Sequence, residues 1–202
     1  MSKKTLSLAL STAILLVANG LYWIQAQRAS HSAMTPPTQE ALPSVDNQDL
    51  EKALEVDESG LSRLAAVIQT TRGRIKFKFY SKDAPRTVRR EIELIRQGFY
   101  NGLTFHRVVQ GFVVQGGDPT GTGTGGSGVK QPAEFNTRKH IAGTVAMARA
   151  ADPHSADSQF YIALDTHPHL DQQYTVFGQV VEGIEVAQQI QVGDRMTTVT
   201  LE

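Results

Sequence analysis

Apolar and charged residues alternate most strictly in RIKFKF, where Ile75, Phe77 and Phe79 are separated by Arg74, Lys76 and Lys78. A period of two puts the three apolar side chains on one face, so this run predicts a half-buried strand. The preceding AAVIQT, joined through Thr71-Arg72-Gly73, predicts its hairpin partner. The period then changes. Asp83-Ala84-Pro85 is a helix start, Val88, Ile92 and Ile95 form one apolar stripe over Thr87 to Gln97, and Gly98 is the stop. Beyond it, short apolar runs bounded by turn residues predict strands at Thr104 to Val109, Phe112 to Gln115, Thr144 to Met147, Gln159 to Ala163, Thr175 to Val181 and Met196 to Leu201. A second helix fits Ile184 to Ile190, after Gly183. Many short strands with only two helices predict a mainly β domain, a closed antiparallel barrel rather than an alternating α/β fold.

The N-terminal part carries neither period. Lys3 and Lys4 precede 23 residues, Thr5 to Gln27, without a charge. As a helix this run would reach roughly 34 Å, close to the thickness of a bilayer core. Tyr22 and Trp23 stand where an interfacial aromatic belt would lie, and the basic flank predicts an N-in, C-out topology. A cleaved signal peptide, with a small-x-small site at Ala18-Asn19-Gly20, is the alternative. Either reading places the remainder outside the cytoplasm: a membrane-tethered periplasmic domain in the first case, a soluble periplasmic one in the second. From Arg28 to Ser62 the chain is acidic and contains Pro36, Pro37 and Pro43, a linker composition, with a short helix possible over Asp49 to Glu58. The expected organisation is therefore 1–27 anchor or signal, 28–62 linker and 63–202 folded domain.

Composition removes several function classes. The 202 residues hold 20 Lys plus Arg against 20 Asp plus Glu, so no net field favours nucleic acid. Cysteine is absent, which excludes thiol nucleophiles, disulfides and a lipoprotein anchor. Gly121-Thr-Gly123-Thr-Gly125-Gly126 fits the G-x-G-x-x-G pattern, but no helical run follows and Pro132 intervenes, so a surface loop is the better reading than a dinucleotide site. Asp165, His167, His169 and Asp171 recur at every second position, but Pro168 and the lack of a second ligand-rich segment argue against a metal. Ser155 beside His154 and Asp157 is adjacency in sequence, not a triad. No cofactor or metal is expected.

The chemistry-bearing run is FHRVVQGFVVQGGD, Phe105 to Asp118. Uninterrupted strand alternation would put Phe105, Arg107 and Val109 on one face and His106 and Val108 on the other. Gln115, on the next strand, offers both a donor and an acceptor for peptide backbone. With QGGDPTGTGTGG, Glu134-Phe135, GTVAMARA, SQFYI and LD followed by YTVFGQVVEG, this run resembles in order and spacing the cyclophilin-type peptidyl-prolyl cis-trans isomerases, as an exported or membrane-anchored bacterial member. The resemblance covers about Leu64 to Glu202 and implies an eight-stranded barrel with two capping helices.

It also implies the activity. Rotation about an X-Pro bond takes tens to hundreds of seconds unaided, and a catalyst must weaken the imide resonance with no covalent chemistry. An apolar slot for the proline ring, hydrogen bonds to the flanking backbone and a fixed donor to the nitrogen lone pair suffice. By resemblance Arg107 is the catalytic arginine, and Phe112, Val113, Tyr161 and Leu170 are the walls of the proline slot. His106 and Gln115 correspond to substrate-flanking residues, and Ala148 and Arg149 to a segment that binds substrate backbone. Val113 and Tyr161 replace residues more often Met and Phe, and Arg149 replaces an Asn. Tyr174 stands where many members have His, and His169 stands near a Trp associated with strong cyclosporin binding, so isomerase activity with weak cyclosporin affinity is expected. Arg90-Glu91 replaces a polar-aromatic pair on the helix. The expected partners are proline-containing segments of unfolded or exported proteins, bound by a monomer; a client-binding scaffold using the same groove without turnover is the alternative.

Overall fold

The computed structural model describes residues 60, 61 and 63–202. The anchor or signal segment and nearly all of the linker, including the short helix expected over Asp49 to Glu58, lie outside the described residues. Eight strands form one sheet: β1 (Ala65–Thr70), β2 (Gly73–Phe79), β3 (Arg107–Val109), β4 (Val113–Gly116), β5 (Thr144–Met147), β6 (Phe160–Ala163), β7 (Val176–Glu182) and β8 (Met196–Leu201). Their order is β3-β4-β6-β5-β7-β2-β1-β8, and every pairing is antiparallel. Helices α1 (Pro85–Arg96) and α2 (Ile184–Gln189) complete the domain. Among the described residues no helix is long and apolar enough to cross a membrane.

The expected hairpin forms with Ile68 opposite Ile75 and a turn at Thr71-Arg72. Ile75, Phe77 and Phe79 all point into the core. Helix α1 buries Val88, Ile92 and Ile95 as its stripe predicts. Its N-terminus has Pro85 in the first turn and no capping side chain of its own. Glu134 supplies one from a distant loop, accepting from the Arg86 and Thr87 N–H groups at 3.0 and 2.8 Å and from the Thr87 hydroxyl at 2.8 Å. A carboxylate there satisfies free N–H groups and complements the helix dipole.

Two expectations are corrected. The strand predicted from Thr104 begins only at Arg107, because the backbone before it pairs elsewhere. The Phe105 N–H donates to Asp194 O at 2.8 Å and its carbonyl accepts from the Gly193 N–H at 3.0 Å, while Thr104 forms an isolated bridge with Arg195. Phe105 is consequently fully buried in the main core while Arg107 is exposed, so the two do not share a face. This single bridge and its neighbouring hydrogen bonds are also where the β3 end of the sheet meets the segment entering β8; the ladder itself ends at those two strands.

Strands β4, β5 and β6 divide the interior in two. Val114, Val145, Met147, Phe160 and Ile162 join the main cluster with α1 and the hairpin, while Val113, Ala146 and Tyr161, one residue out of phase, form a second cluster with Leu170 and Val176. Both strand faces are covered, so β5 and β6 read as continuous apolar runs rather than alternating ones. The second cluster is the floor of the site.

Candidate active site

One cross-strand row builds the site. Arg107 lies opposite Gln115, Gln115 opposite Tyr161, Tyr161 opposite Ala146, and Ala146 opposite Val176, across β3, β4, β6, β5 and β7. Directly opposed residues project from the same face, so register alone gathers five distant positions. Phe112, just before β4, Leu170, in a short 3₁₀ turn, and Tyr174 pack over this row. Arg107, Phe112, Val113, Gln115, Ala148, Arg149, Tyr161, Leu170 and Tyr174 together line a cavity of about 270 Å³.

The polar rim is organised by amides. Arg107 Nη1 donates to Gln115 Oε1 at 3.3 Å, Gln115 Nε2 to Gln159 Oε1 at 2.9 Å, and Gln159 Nε2 to the Gly125 carbonyl at 2.8 Å. The guanidinium carbon also lies 5.7 Å from the centre of the Phe112 ring. Arg107 is thus held at the mouth of an apolar slot with donors left over, since a guanidinium carries five N–H groups. Gln159 is not among the site residues that the sequence predicts, although it directly precedes the buried run of β6.

Arg149 shows what replaces the expected asparagine. Its Nε donates to Gln173 O at 3.0 Å and its Nη1 to Ala150 O at 2.9 Å, while the guanidinium carbon lies 4.8 Å from the Tyr174 ring centre. The side chain therefore braces one wall, with Tyr174 sandwiched between it and Tyr161, whose ring is 5.7 Å away edge-on. His169 stacks on Phe112 at 5.9 Å and an angle of 15°.

Next to the slot, and sharing Gln115, Ala148 and Arg149 with it, a second cavity of about 320 Å³ is bounded by Gly125, Lys130, Asp157 and Gln159. Its edge is the Gly/Thr loop. Asp118 gathers this loop, accepting from the N–H groups of Thr120, Thr122, Gly123 and Gly125 and from the Thr120 hydroxyl. Burial pushes the Asp118 carboxyl up, but the donors from Thr120, Gly125 and Gly123 outweigh it and hold the pKa far below the usual carboxylate range. A Cβ at Gly125 would collide with Asp118 Oδ1, which explains why glycine occupies that place.

His106 does not line the slot. It packs behind the loop, 3.7 Å from where a Gly123 Cβ would be, with both ring nitrogens buried and unpartnered; burial lowers its pKa. Asp165, His167, His169 and Asp171 do not converge either. His167 Nε2 is 3.1 Å from Phe112 O, whereas Asp171 turns to His140 and Lys139. Among the described residues no group of three or more His, Cys, Asp or Glu side chains is placed to hold a metal ion.

In sequence and fold the chain is similar to known proteins. The family model described as "Cyclophilin type peptidyl-prolyl cis-trans isomerase/CLD" matches residues 65–201. A peptidyl-prolyl cis-trans isomerase of Synechococcus elongatus is 46% identical over 138 residues, 67% of this chain and 94% of the relative. Peptidyl-prolyl cis-trans isomerase B of Bacillus subtilis is 47% identical over 131 residues, 64% of this chain and 91% of the relative. Among solved structures, a Cryptosporidium parvum cyclophilin type peptidyl-prolyl cis-trans isomerase, crystallised in the presence of the dipeptide Ala-Pro, superposes with a TM-score of 0.64 at 28% identity, covering 68% of this chain and 98% of that one.

Proposed function

The chain belongs to the cyclophilin family of peptidyl-prolyl cis-trans isomerases, and from that premise we propose that the 270 Å³ slot receives the proline ring and that Arg107 catalyses the rotation. The activity itself follows from the family. What supports the residue assignment is one observation: a guanidinium braced by Gln115 at 3.3 Å, on the rim of an apolar slot floored by Val113, Tyr161 and Leu170.

In the planar imide the nitrogen lone pair is delocalised into the carbonyl, which gives a barrier of about 18–20 kcal/mol. As the bond twists, the lone pair localises on nitrogen and becomes an acceptor. Arg107 donates a hydrogen bond to it, an interaction absent from the planar ground state, so it lowers the barrier rather than only tightening binding. Phe112, Val113, Tyr161 and Leu170 hold the ring while the preceding carbonyl turns. Gln115 fixes the guanidinium from its amide oxygen, and Ala148 and Arg149 border the substrate backbone. Residues before the proline run into the second cavity, between Gln159 and the Gly/Thr loop. Comparing isomerisation by the full chain with that by Arg107→Ala tests the catalytic assignment.

The cellular role we propose is to speed proline-limited folding of exported proteins, with the sheet closed into a barrel through the Thr104–Arg195 bridge. Support for location is the uncharged run Thr5 to Gln27 behind Lys3 and Lys4, which suits a single membrane span with the isomerase outside the cytoplasm. Mass measurement of the mature protein isolated from membranes is expected to return the intact N-terminus. A chain beginning near Leu21 would replace the anchor with a cleaved signal and a soluble periplasmic enzyme.

A further inference from the structure

Tyr161 brings a hydroxyl to a slot whose task is to hold an apolar ring, and the structure shows where that hydroxyl goes. It lies 2.9 Å from Nε2 of His140, a fully buried side chain in the loop before β5. The other ring nitrogen, Nδ1, is 3.2 Å from Asp171 Oδ1, which also accepts the His140 main-chain N–H at 2.8 Å. Asp171 follows the slot residue Leu170 directly and is paired through Oδ2 with Lys139 at 3.0 Å. His140 O in turn accepts the His167 N–H at 2.8 Å, tying the same loop to the turn that carries Leu170.

The partners fix the tautomer. An ionised carboxylate only accepts, so Nδ1 carries the proton and faces Asp171; Nε2 is then a bare lone pair, and the Tyr161 hydroxyl must be the donor. We propose that His140 is a positioning residue for the proline slot: its neutral imidazole, oriented by Asp171, draws the Tyr161 O–H away from the cavity so that the tyrosine presents only its apolar ring to the substrate. The inference rests on the reading of this slot as the proline site.

Protonation of His140 reverses the bond. Nε2 becomes a donor to the phenol oxygen, and the phenol hydrogen must then point elsewhere, toward the slot side. The groups that face His140 are Asp171 and Lys139 beside it, His167 and His169 from the Leu170 turn, and the rings of Tyr161 and Tyr174, the latter 6.3 Å away and itself covered by Arg149. Burial lowers the His140 pKa, Asp171 raises it, and His167 and His169 lower it again, with a net displacement below the ordinary 6.5. The neutral, slot-forming state therefore holds at neutral pH and on below 6.5, and is lost only as pH falls through the lowered His140 value.

KM and kcat for an Ala-Pro peptide, measured on the full chain in a pH series from about 7.5 down to the acid limit of the folded state, test the inference in four proteins: wild type, Tyr161→Phe, His140→Gln and the double variant. His140→Gln is expected to raise KM about tenfold with kcat changed less than about twofold. In the Tyr161→Phe background the same substitution is expected to move KM less than about twofold. The wild-type KM is expected to rise on the acid side of 6.5, as His140 becomes protonated, and that of Tyr161→Phe to stay level over the same range. The wild-type and Tyr161→Phe comparison stands even if His140→Gln does not fold. Equal effects of His140→Gln in both backgrounds, or an acid rise in KM that persists in Tyr161→Phe, overturns the inference. Leu170→Ala separates the two levels of the argument: an unchanged KM there overturns the slot reading as a whole, whereas a raised KM with no effect from His140→Gln overturns only the role of His140.

Discussion

Asp118 and Arg107 are opposite uses of a charge in one site. Asp118 is 1% exposed and accepts five hydrogen bonds, so its charge is consumed in shaping the Gly/Thr loop. Arg107 is exposed, donates to one amide and carries further N–H groups at the rim of the slot. The depressed pKa of Asp118 gives the sign of a stability effect. Its contribution is present above the unfolded value of 3.8 and is lost as pH falls toward the folded value. Asp118→Asn is expected to lower unfolding stability by about 2 kcal/mol at pH 7, with the gap to wild type narrowing below pH 4. Urea titrations at the two pH values check this; a gap that is the same at both would show that the ionised form is not what organises the loop.

Helix α1 carries the most unusual element-scale feature, a glutamate buried where the resemblance has an aromatic residue. Glu91 is 2% exposed, its Oε2 lies 2.7 Å from the Tyr100 hydroxyl, and that hydroxyl lies 3.1 Å from Ser158 O. Burial drives the Glu91 pKa from 4.5 to about 8, against the lowering effects of Tyr100 and Arg90. Burial therefore favours the neutral form of Glu91 at neutral pH, beside a Tyr100 hydroxyl that is placed to donate to Glu91 Oε2 and to Ser158 O, next to Gln159 of the site. Between pH 4.5 and about 8 the unfolded chain releases this proton while the folded one keeps it, so the stability contribution is full below 4.5 and falls as pH rises. Thermal unfolding across that range should show Glu91→Gln gaining on the wild type by roughly 1 kcal/mol per pH unit; parallel profiles would contradict a neutral buried Glu91. The helix and the β1–β2 hairpin were legible because Val88, Ile92 and Ile95 and Ile75, Phe77 and Phe79 keep a clean period. The start of β3 was not, because the backbone of Phe105 pairs with Gly193 and Asp194, a long-range choice that leaves no local trace. Gln159 and His140 leave no such trace for a related reason: one precedes a strand, the other sits in a loop, and only tertiary contact brings them to Gln115 and Tyr161.

At the scale of the whole molecule, the sheet has two jobs. Its main cluster packs against α1 and the hairpin, and its second cluster is the floor of a slot. Period-two alternation in β4, β5 and β6 separates these jobs residue by residue, and cross-strand register assembles Arg107, Gln115, Tyr161 and Ala146 into one row. Much of the slot could be named from sequence because motif order preserved that row, whereas the geometry that orients it lies in amides and loops. With catalysis assigned to one donor at the edge of a binding slot, binding and turnover must be separable. The most direct measurement is the isomerisation rate of an Ala-Pro peptide by the full chain and by Arg107→Ala, with the dissociation constant of the peptide determined alongside. The predicted result is a loss of about 100-fold or more in kcat, the scale for removing one transition-state donor, with the dissociation constant changed only a few-fold. Equal rates for the two proteins would contradict the assignment of catalysis to Arg107 and leave the groove as a site that binds proline segments without turning them.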